Sequence, residues 1–98
     1  MKTFSDLNKA FENRIRLGIM AMLMVDDTVE FNVMKNALEV TDGNLASHIK
    51  HLESVAYISY EKSFFEKKPL TRYRATALGK MEFMKHLDAL ENLLRGIR

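Results

Sequence analysis

Asn44, Ser47 and Lys50 recur three residues apart, with His51 four beyond Ser47, a spacing that brings them to one side of a helix. An asparagine amide can pair bidentately with adenine N6 and N7, a serine hydroxyl suits several base edges, and a lysine neutralises phosphate. The surrounding residues are Thr41-Asp42-Gly43-Asn44-Leu45-Ala46-Ser47-His48-Ile49-Lys50-His51-Leu52-Glu53. Thr41 or Asp42 can cap the first turn, since either side-chain oxygen accepts from its free N–H groups. Leu45, Ile49 and Leu52, spaced by four and three, form the opposite, apolar side. Gly43, Asn44, Ala46, Ser47, Lys50 and His51 then face outward, with His48 on the flank. A face this slim fits a groove about 12 Å wide, the width of the DNA major groove.

Other chemistry is not supported by the same residues. Ser47, His48 and Asp42 share one helix without an oxyanion loop, so no hydrolytic triad is expected. His48 and His51 have metal-compatible spacing, but no third ligand lies nearby and the chain has no cysteine. No catalytic residue, metal or cofactor is expected. A second basic group follows at Lys67, Lys68, Arg72 and Arg74, with no acid between 67 and 74. A local cluster of this kind holds phosphates even though the net charge is only +2. Its structural alternative is a solvated hairpin edge on which lysine discourages aggregation.

The elements that must position these residues are legible in order. Phe4, Leu7, Ala10 and Phe11 suggest a short amphipathic helix, or the early part of a longer one, capped by Ser5 or Thr3. Asn13 to Met24 reads as a helix apolar almost all round, hence buried on most sides. Asp26-Asp27-Thr28 is a polar turn, and Val29-Glu30-Phe31 a short extended piece. Asn32 is placed to cap a helix over Val33 to Leu38 with Val33, Met34, Ala37 and Leu38 inward. Glu39-Val40-Thr41 links it tightly to the helix over 42–55, a helix-turn-helix arrangement. From Tyr57 the period changes to two, predicting a strand to about Phe65. Glu66-Lys67-Lys68-Pro69 should break it, with Pro69 opposing a regular ladder, and Leu70 to Ala75 is a second strand. Alternation puts Arg72 and Arg74 on one face. Thr76 caps a last helix from Ala77 towards Leu94, in which Gly79 costs roughly 1 kcal/mol relative to alanine. Phe83, Leu87, Leu90, Leu94 and Ile97 form a short heptad seam, and His86 is expected exposed or at a dimer contact.

At 98 residues, 47% hydrophobic and 29% charged, the chain is one domain, 1–98, rather than a disordered segment. So small a core leaves a thin stability margin that dimerisation would widen. No apolar run is long enough to span a bilayer. The Met1 to Glu12 segment is mixed in charge and lacks a cleavage site, so a cytoplasmic location is expected. Seven methionines suggest core filling, or a flexible pocket for an apolar effector.

Four stretches together resemble a winged-helix DNA-binding domain. They are Arg14 to Met20, Leu38 to Thr41, Thr41 to Glu53, and Lys62 to Phe65 continuing through Pro69 to Thr76 with Gly79 following. The similarity is to small bacterial and archaeal regulators related to the ArsR and MarR families. It implies a mainly α fold with a small β-hairpin wing, a winged helix-turn-helix with added N- and C-terminal helices. Relatives usually carry glycine where Ala56 stands; alanine there implies a backbone that avoids φ > 0. Their wing tip often reads Gly-Arg-Arg-Pro, here Glu66-Lys67-Lys68-Pro69, so lysine supplies point charges in place of planar arginine forks.

The implied function is a dimeric, sequence-specific regulator of transcription, a repressor by occlusion, bound to palindromic double-stranded DNA. Helix 42–55 would enter the major groove through Thr41, Asp42, Gly43, Asn44, Ala46, Ser47, His48, Lys50 and His51. The wing over 66–72, with Lys67, Lys68, Arg72 and Arg74, would hold backbone or minor groove. Residues 1–12 and 77–98 would make the homodimer through Phe4, Leu7, Phe11, Phe83, Leu87, Leu90 and Leu94. No effector is specified. The alternative is a winged-helix module that binds protein rather than DNA.

Overall fold

The computed structural model describes residues 4–97; Thr3, offered above as a cap, and the side chain of Ile97 lie outside the described part. A 3₁₀ turn (Lys9–Phe11) leads into α1 (Arg14–Val25), β1 (Val29–Glu30), α2 (Phe31–Leu38), α3 (Asp42–Ser54), β2 (Ile58–Phe65), β3 (Lys68–Ala75) and α4 (Ala77–Ile97). The strands form one antiparallel sheet in the order β1-β3-β2. β2 and β3 pair along their whole length, from Ile58↔Ala75 to Phe65↔Lys68. β1 touches only the root of that hairpin, at Tyr73 and Arg72. The architecture is the expected mainly α one with a hairpin wing.

The core is where the helix periodicities put it. Ile19, Met20 and Leu23 of α1 meet Leu45, Ile49 and Leu52 of α3, all buried, with Met34, Val29, Ile58, Ala75 and Phe83 closing the cluster. Asn13 starts α1, its side chain accepting from the N–H groups of Ile15 and Arg16. α2 departs from expectation. It begins at Phe31, so Asn32 lies inside the helix and Glu30 is the cap position, without a side-chain cap bond. The earlier start turns Phe31, Met34 and Leu38 inward and leaves Val33 and Ala37 exposed.

The N-terminal segment is a single 3₁₀ turn among the described residues, not an amphipathic helix. Asn8 organises it. Its Oδ1 accepts from the Ala10 N–H (2.9 Å), its Nδ2 donates to the Tyr57 hydroxyl (2.9 Å), and its backbone N–H donates to His86 Nδ1 (3.0 Å). This folds Phe11 inward, where its ring stacks on Tyr57 and meets the edges of Phe83 and His86. Phe11 and Phe83 are therefore buried in the core of their own chain and are not available to a dimer contact. His86, expected at the surface, is also buried, because the 3₁₀ turn covers it. Burial pushes its pKa below the ordinary imidazole value, against a smaller upward pull from Glu12.

Between α3 and β2 the backbone reverses through Ala56, whose φ is 62°. The inference that alanine here implies φ < 0 is thus wrong; the reversal is imposed from outside. The Tyr57 N–H donates to Leu52 O and the Thr76 N–H to Tyr57 O, both at 3.0 Å. The Thr76 hydroxyl donates to Ala56 O (2.7 Å) and accepts from the Gly79 N–H (2.9 Å), so Thr76 caps α4 and clamps the turn together. Gly79 is required by close approach. A β-carbon there would sit 2.0 Å from the Tyr57 carbonyl oxygen, inside contact distance with rigid backbone.

The wing differs at its tip. Glu66 and Lys67 both have positive φ (51° and 67°), the conformation of a two-residue hairpin turn. β3 therefore starts at Lys68 and includes Pro69, paired with Phe64. Proline is tolerated because β1 stops at Arg72, so beside Pro69 the strand has an open edge with no ladder to feed.

The molecule measures 55 × 26 × 22 Å. Along α4 an apolar row at Leu87, Leu90 and Leu94 is left partly exposed, Leu94 most of all at 57%. No helix among the described residues is long and apolar enough to cross a membrane.

Two substitutions at the reversal should have opposite signs in urea unfolding. Gly79→Ala should lose about 1–3 kcal/mol through overpacking, despite alanine's better helix propensity. Ala56→Gly should gain roughly 0.5–1 kcal/mol by relieving the left-handed backbone. A third expectation concerns pH. Because the folded pKa of His86 is depressed, the unfolded chain binds more protons below the ordinary value of about 6.5. Its contribution is full above that pH and is lost as pH falls towards the folded pKa. The urea midpoint should therefore drop between pH 7.5 and 5.5, and His86→Gln should reduce the drop.

Candidate nucleic-acid interface

The candidate surface is built on α3. Thr41 caps it, its hydroxyl accepting from the Asn44 N–H at 3.2 Å. Leu45, Ile49 and Leu52 are at most 3% exposed, which fixes the helix's rotation about its axis. Gly43, Asn44, Ala46, Ser47, Lys50 and His51 are consequently exposed together, and His48 is half-buried at the flank. Asp42 is held 2.8 Å from Lys35 of α2, so its carboxylate is balanced before any phosphate approaches. That pair is solvent-exposed and contributes at most about 1 kcal/mol. Its carboxylate at the first turn also suits the positive end of the helix dipole. Ser47, His48 and Asp42 do not converge: Asp42 pairs with Lys35, and His48 turns to Arg16.

Arg16 is the residue that sequence reasoning missed. Its Nε donates to Ala10 O (2.7 Å), and its Nη1 lies 3.1 Å from His48 Nδ1. Nη2 reaches towards Lys9 O at 3.5 Å. Together Arg16, Ser47, His48, Lys50, His51 and Ser54 line a shallow cleft of about 350 Å³ beside the exposed face. Burial lowers the pKa of His48, and the neighbouring charges of Arg16 and then His51 act in the same direction. Nothing local in the sequence marks Arg16, since it stands 32 residues from its partner.

The wing separates the four basic residues into two groups. Lys67 and Lys68 are exposed at the tip, whereas Arg72 and Arg74 are half-buried at the root. Four residues of strand put about 13 Å between Lys68 and Arg72. The run that lacks acid in the sequence also acquires one from across the ladder. Glu61 stands directly opposite Arg72, and its Oε1 lies 3.5 Å from Arg74 Nη2. Lys67 and Lys68 at the tip, unlike Arg74, are in none of the ion pairs found among the described residues. Phe64 and Phe65 are exposed there too, at 78% and 62%, because the hairpin runs out beyond the core that buries its root. On the same hairpin Lys62 sits over the Tyr60 ring, 5.8 Å from its centroid.

Comparison with known proteins gives a consistent picture. Residues 15–94 match the winged helix DNA-binding domain family. An uncharacterized protein of Methanocaldococcus jannaschii is 32% identical over 89 residues, covering 91% of this chain and 97% of the relative. The structure of a transcriptional regulator homologue from Pyrococcus horikoshii OT3 superposes with a TM-score of 0.89 at 29% identity, covering 99% of this chain and 98% of that one. A regulator from Enterococcus faecalis V583 assigned to the MarR family shares the fold, with a TM-score of 0.68 at 23% identity over 95% of this chain and 76% of that one.

Proposed function

We propose, for a chain that belongs to the winged helix DNA-binding domain family, that it is a sequence-specific double-stranded DNA-binding regulator of transcription. The observation that carries this reading is the exposed face of α3. Three buried side chains turn a slender row of amide, hydroxyl and ammonium groups outward, with a lysine-tipped hairpin beside it. Asn44 and Ser47 are the base-reading residues of this proposal, and Lys50, Lys67 and Lys68 neutralise phosphate. Arg72 and Arg74, shared with Glu61, contribute less than the sequence suggests. The similarity to the Pyrococcus regulator homologue supports the regulatory role. Such a protein works in the cytoplasm as a binder, and repression follows if the bound protein occludes polymerase.

The same proposal includes a homodimer. Phe4, Leu7, Leu87, Leu90 and Leu94 are its contact residues, since Phe11 and Phe83 are enclosed by their own chain. An apolar row along an extended helix supports it, because a second copy would remove that surface from water. Two α3 helices related by a two-fold axis would then enter successive major grooves about 34–36 Å apart on a palindromic operator.

One observation favours a second reading, a protein-binding module. Phe64 and Phe65 are apolar and exposed at the wing tip, where a partner protein would cover them. A salt titration against mixed duplex DNA separates the two readings. DNA binding should weaken steeply with salt, whereas no detectable binding at low salt favours the protein partner.

Within the DNA reading, Lys68→Glu should weaken binding to every duplex alike. Asn44→Ala or Ser47→Ala should instead flatten the preference for selected over random sequence, by roughly 1–3 kcal/mol for the bidentate asparagine. Competition binding after selection from a random duplex pool measures both effects. For assembly, Leu90→Glu with Leu94→Glu should give folded monomers by analytical ultracentrifugation, since neither residue belongs to the buried core.

A further inference from the structure

We propose that Arg16 is a positioning residue for recognition, fixing His48 in one tautomer so that its Nε2–H is offered to a hydrogen-bond acceptor on DNA. The inference rests on the DNA-binding reading above and assigns a role to a residue outside the helix-turn-helix surface. A guanidinium carries only N–H groups and accepts nothing. With Arg16 Nη1 3.1 Å from His48 Nδ1, Nδ1 must be the lone-pair nitrogen, and the single ring proton resides on Nε2. Arg16 cannot readily swing away, because its Nε is held on the Ala10 carbonyl at 2.7 Å. The tautomer is thereby set from α1 and the 3₁₀ turn, not from the recognition helix.

The consequence is chemical selectivity. A neutral histidine with free tautomers offers either a donor or an acceptor. Locked through Nδ1, it offers a donor, which suits guanine O6 or a purine N7 and not the exocyclic amino groups of adenine and cytosine. The charged and titratable groups lining the cleft around the ring are Arg16 from α1 and Lys50 and His51 from α3 itself; no carboxylate lines it among the described residues. A second proton on the ring would set two cations face to face and break the Arg16 contact. Lowering the pH should therefore release the imidazole from its fixed orientation. The lowered pKa of His48 fits a ring that stays neutral and oriented near pH 7.

The experiment has two arms on the full-length protein. In the first, long-range ¹H–¹⁵N correlation at pH 7.5 reads the His48 ring nitrogens without DNA. The expected result is an unprotonated Nδ1 and a protonated Nε2 in the wild type, and a mixture of tautomers in Arg16→Met. A protonated Nδ1 in the wild type overturns the lock. In the second, selected and shuffled duplexes compete for each variant across pH 5.5–8. Arg16→Met should cut the preference for the selected sequence by roughly three- to tenfold, the scale of one hydrogen bond. His48→Ala should cut it similarly, and the double variant should lose little more than either alone. Arg16→Lys, which keeps a donor, should restore part of the preference.

Equal weakening on both duplexes with a salt slope reduced by about one would make Arg16 a phosphate contact and overturn the positioning role. A folded wild type that binds neither duplex would overturn the DNA reading itself, while the ring shifts would still judge the lock.

Discussion

The arrangement of this molecule depends on the backbone reversal between α3 and β2. Val55 to Tyr57 must leave α3, turn through a left-handed residue and set out along the wing within three residues. Alanine does not favour that conformation. It is held because Thr76 bonds both neighbouring carbonyls while capping α4, and because Gly79 lets the first turn of α4 press against the Tyr57 carbonyl. One clamp thus sets the angle of the wing to α3 and fixes where α4 departs.

Tyr57 extends the clamp to the N-terminus. Its ring stacks on Phe11 and its hydroxyl accepts from Asn8, whose backbone N–H donates to His86 of α4. Arg16 continues the chain of contacts by holding the carbonyls of the 3₁₀ turn on one side and His48 on the other. The N-terminal segment is thereby part of the frame that orients α3. Phe11 and Phe83 fill the interior of the chain for this reason, and the apolar surface left exposed along α4 is the leucine row at Leu87, Leu90 and Leu94.

Electrostatics are decided by neighbours as much as by composition. Arg72 and Arg74 look like a free basic patch along the chain, yet the ladder sets Glu61 against them. Asp42 is a lone acid on the exposed face of α3, yet Lys35 balances it. Lys50 on α3 and Lys67 and Lys68 at the wing tip are exposed and in none of the ion pairs found among the described residues.

The sequence by itself determined most of what depends on local period and local capping, the Asn32 cap and the N-terminal helix being the exceptions. Leu45, Ile49 and Leu52 declare the inner side of α3 by their spacing, Thr41 and Thr76 mark helix starts, and the switch to a period of two at Tyr57 marks the wing. Those signals suffice for the fold class and for the outward row from Gly43 to His51, because the rotation of a helix follows from its own apolar side. Only the tertiary structure decided what joins distant residues or bends the backbone against its preference. Asn8 meets His86 across 78 positions and Arg16 meets His48 across 32, and no local pattern encodes either pairing. Ala56, Glu66 and Lys67 take positive φ without a glycine to announce it, since the surrounding hydrogen bonds and the hairpin geometry supply the constraint. Phe11 and Phe83 went inward for the same reason: their periodicity said which side was apolar, and only packing could say whether that side met its own chain or another.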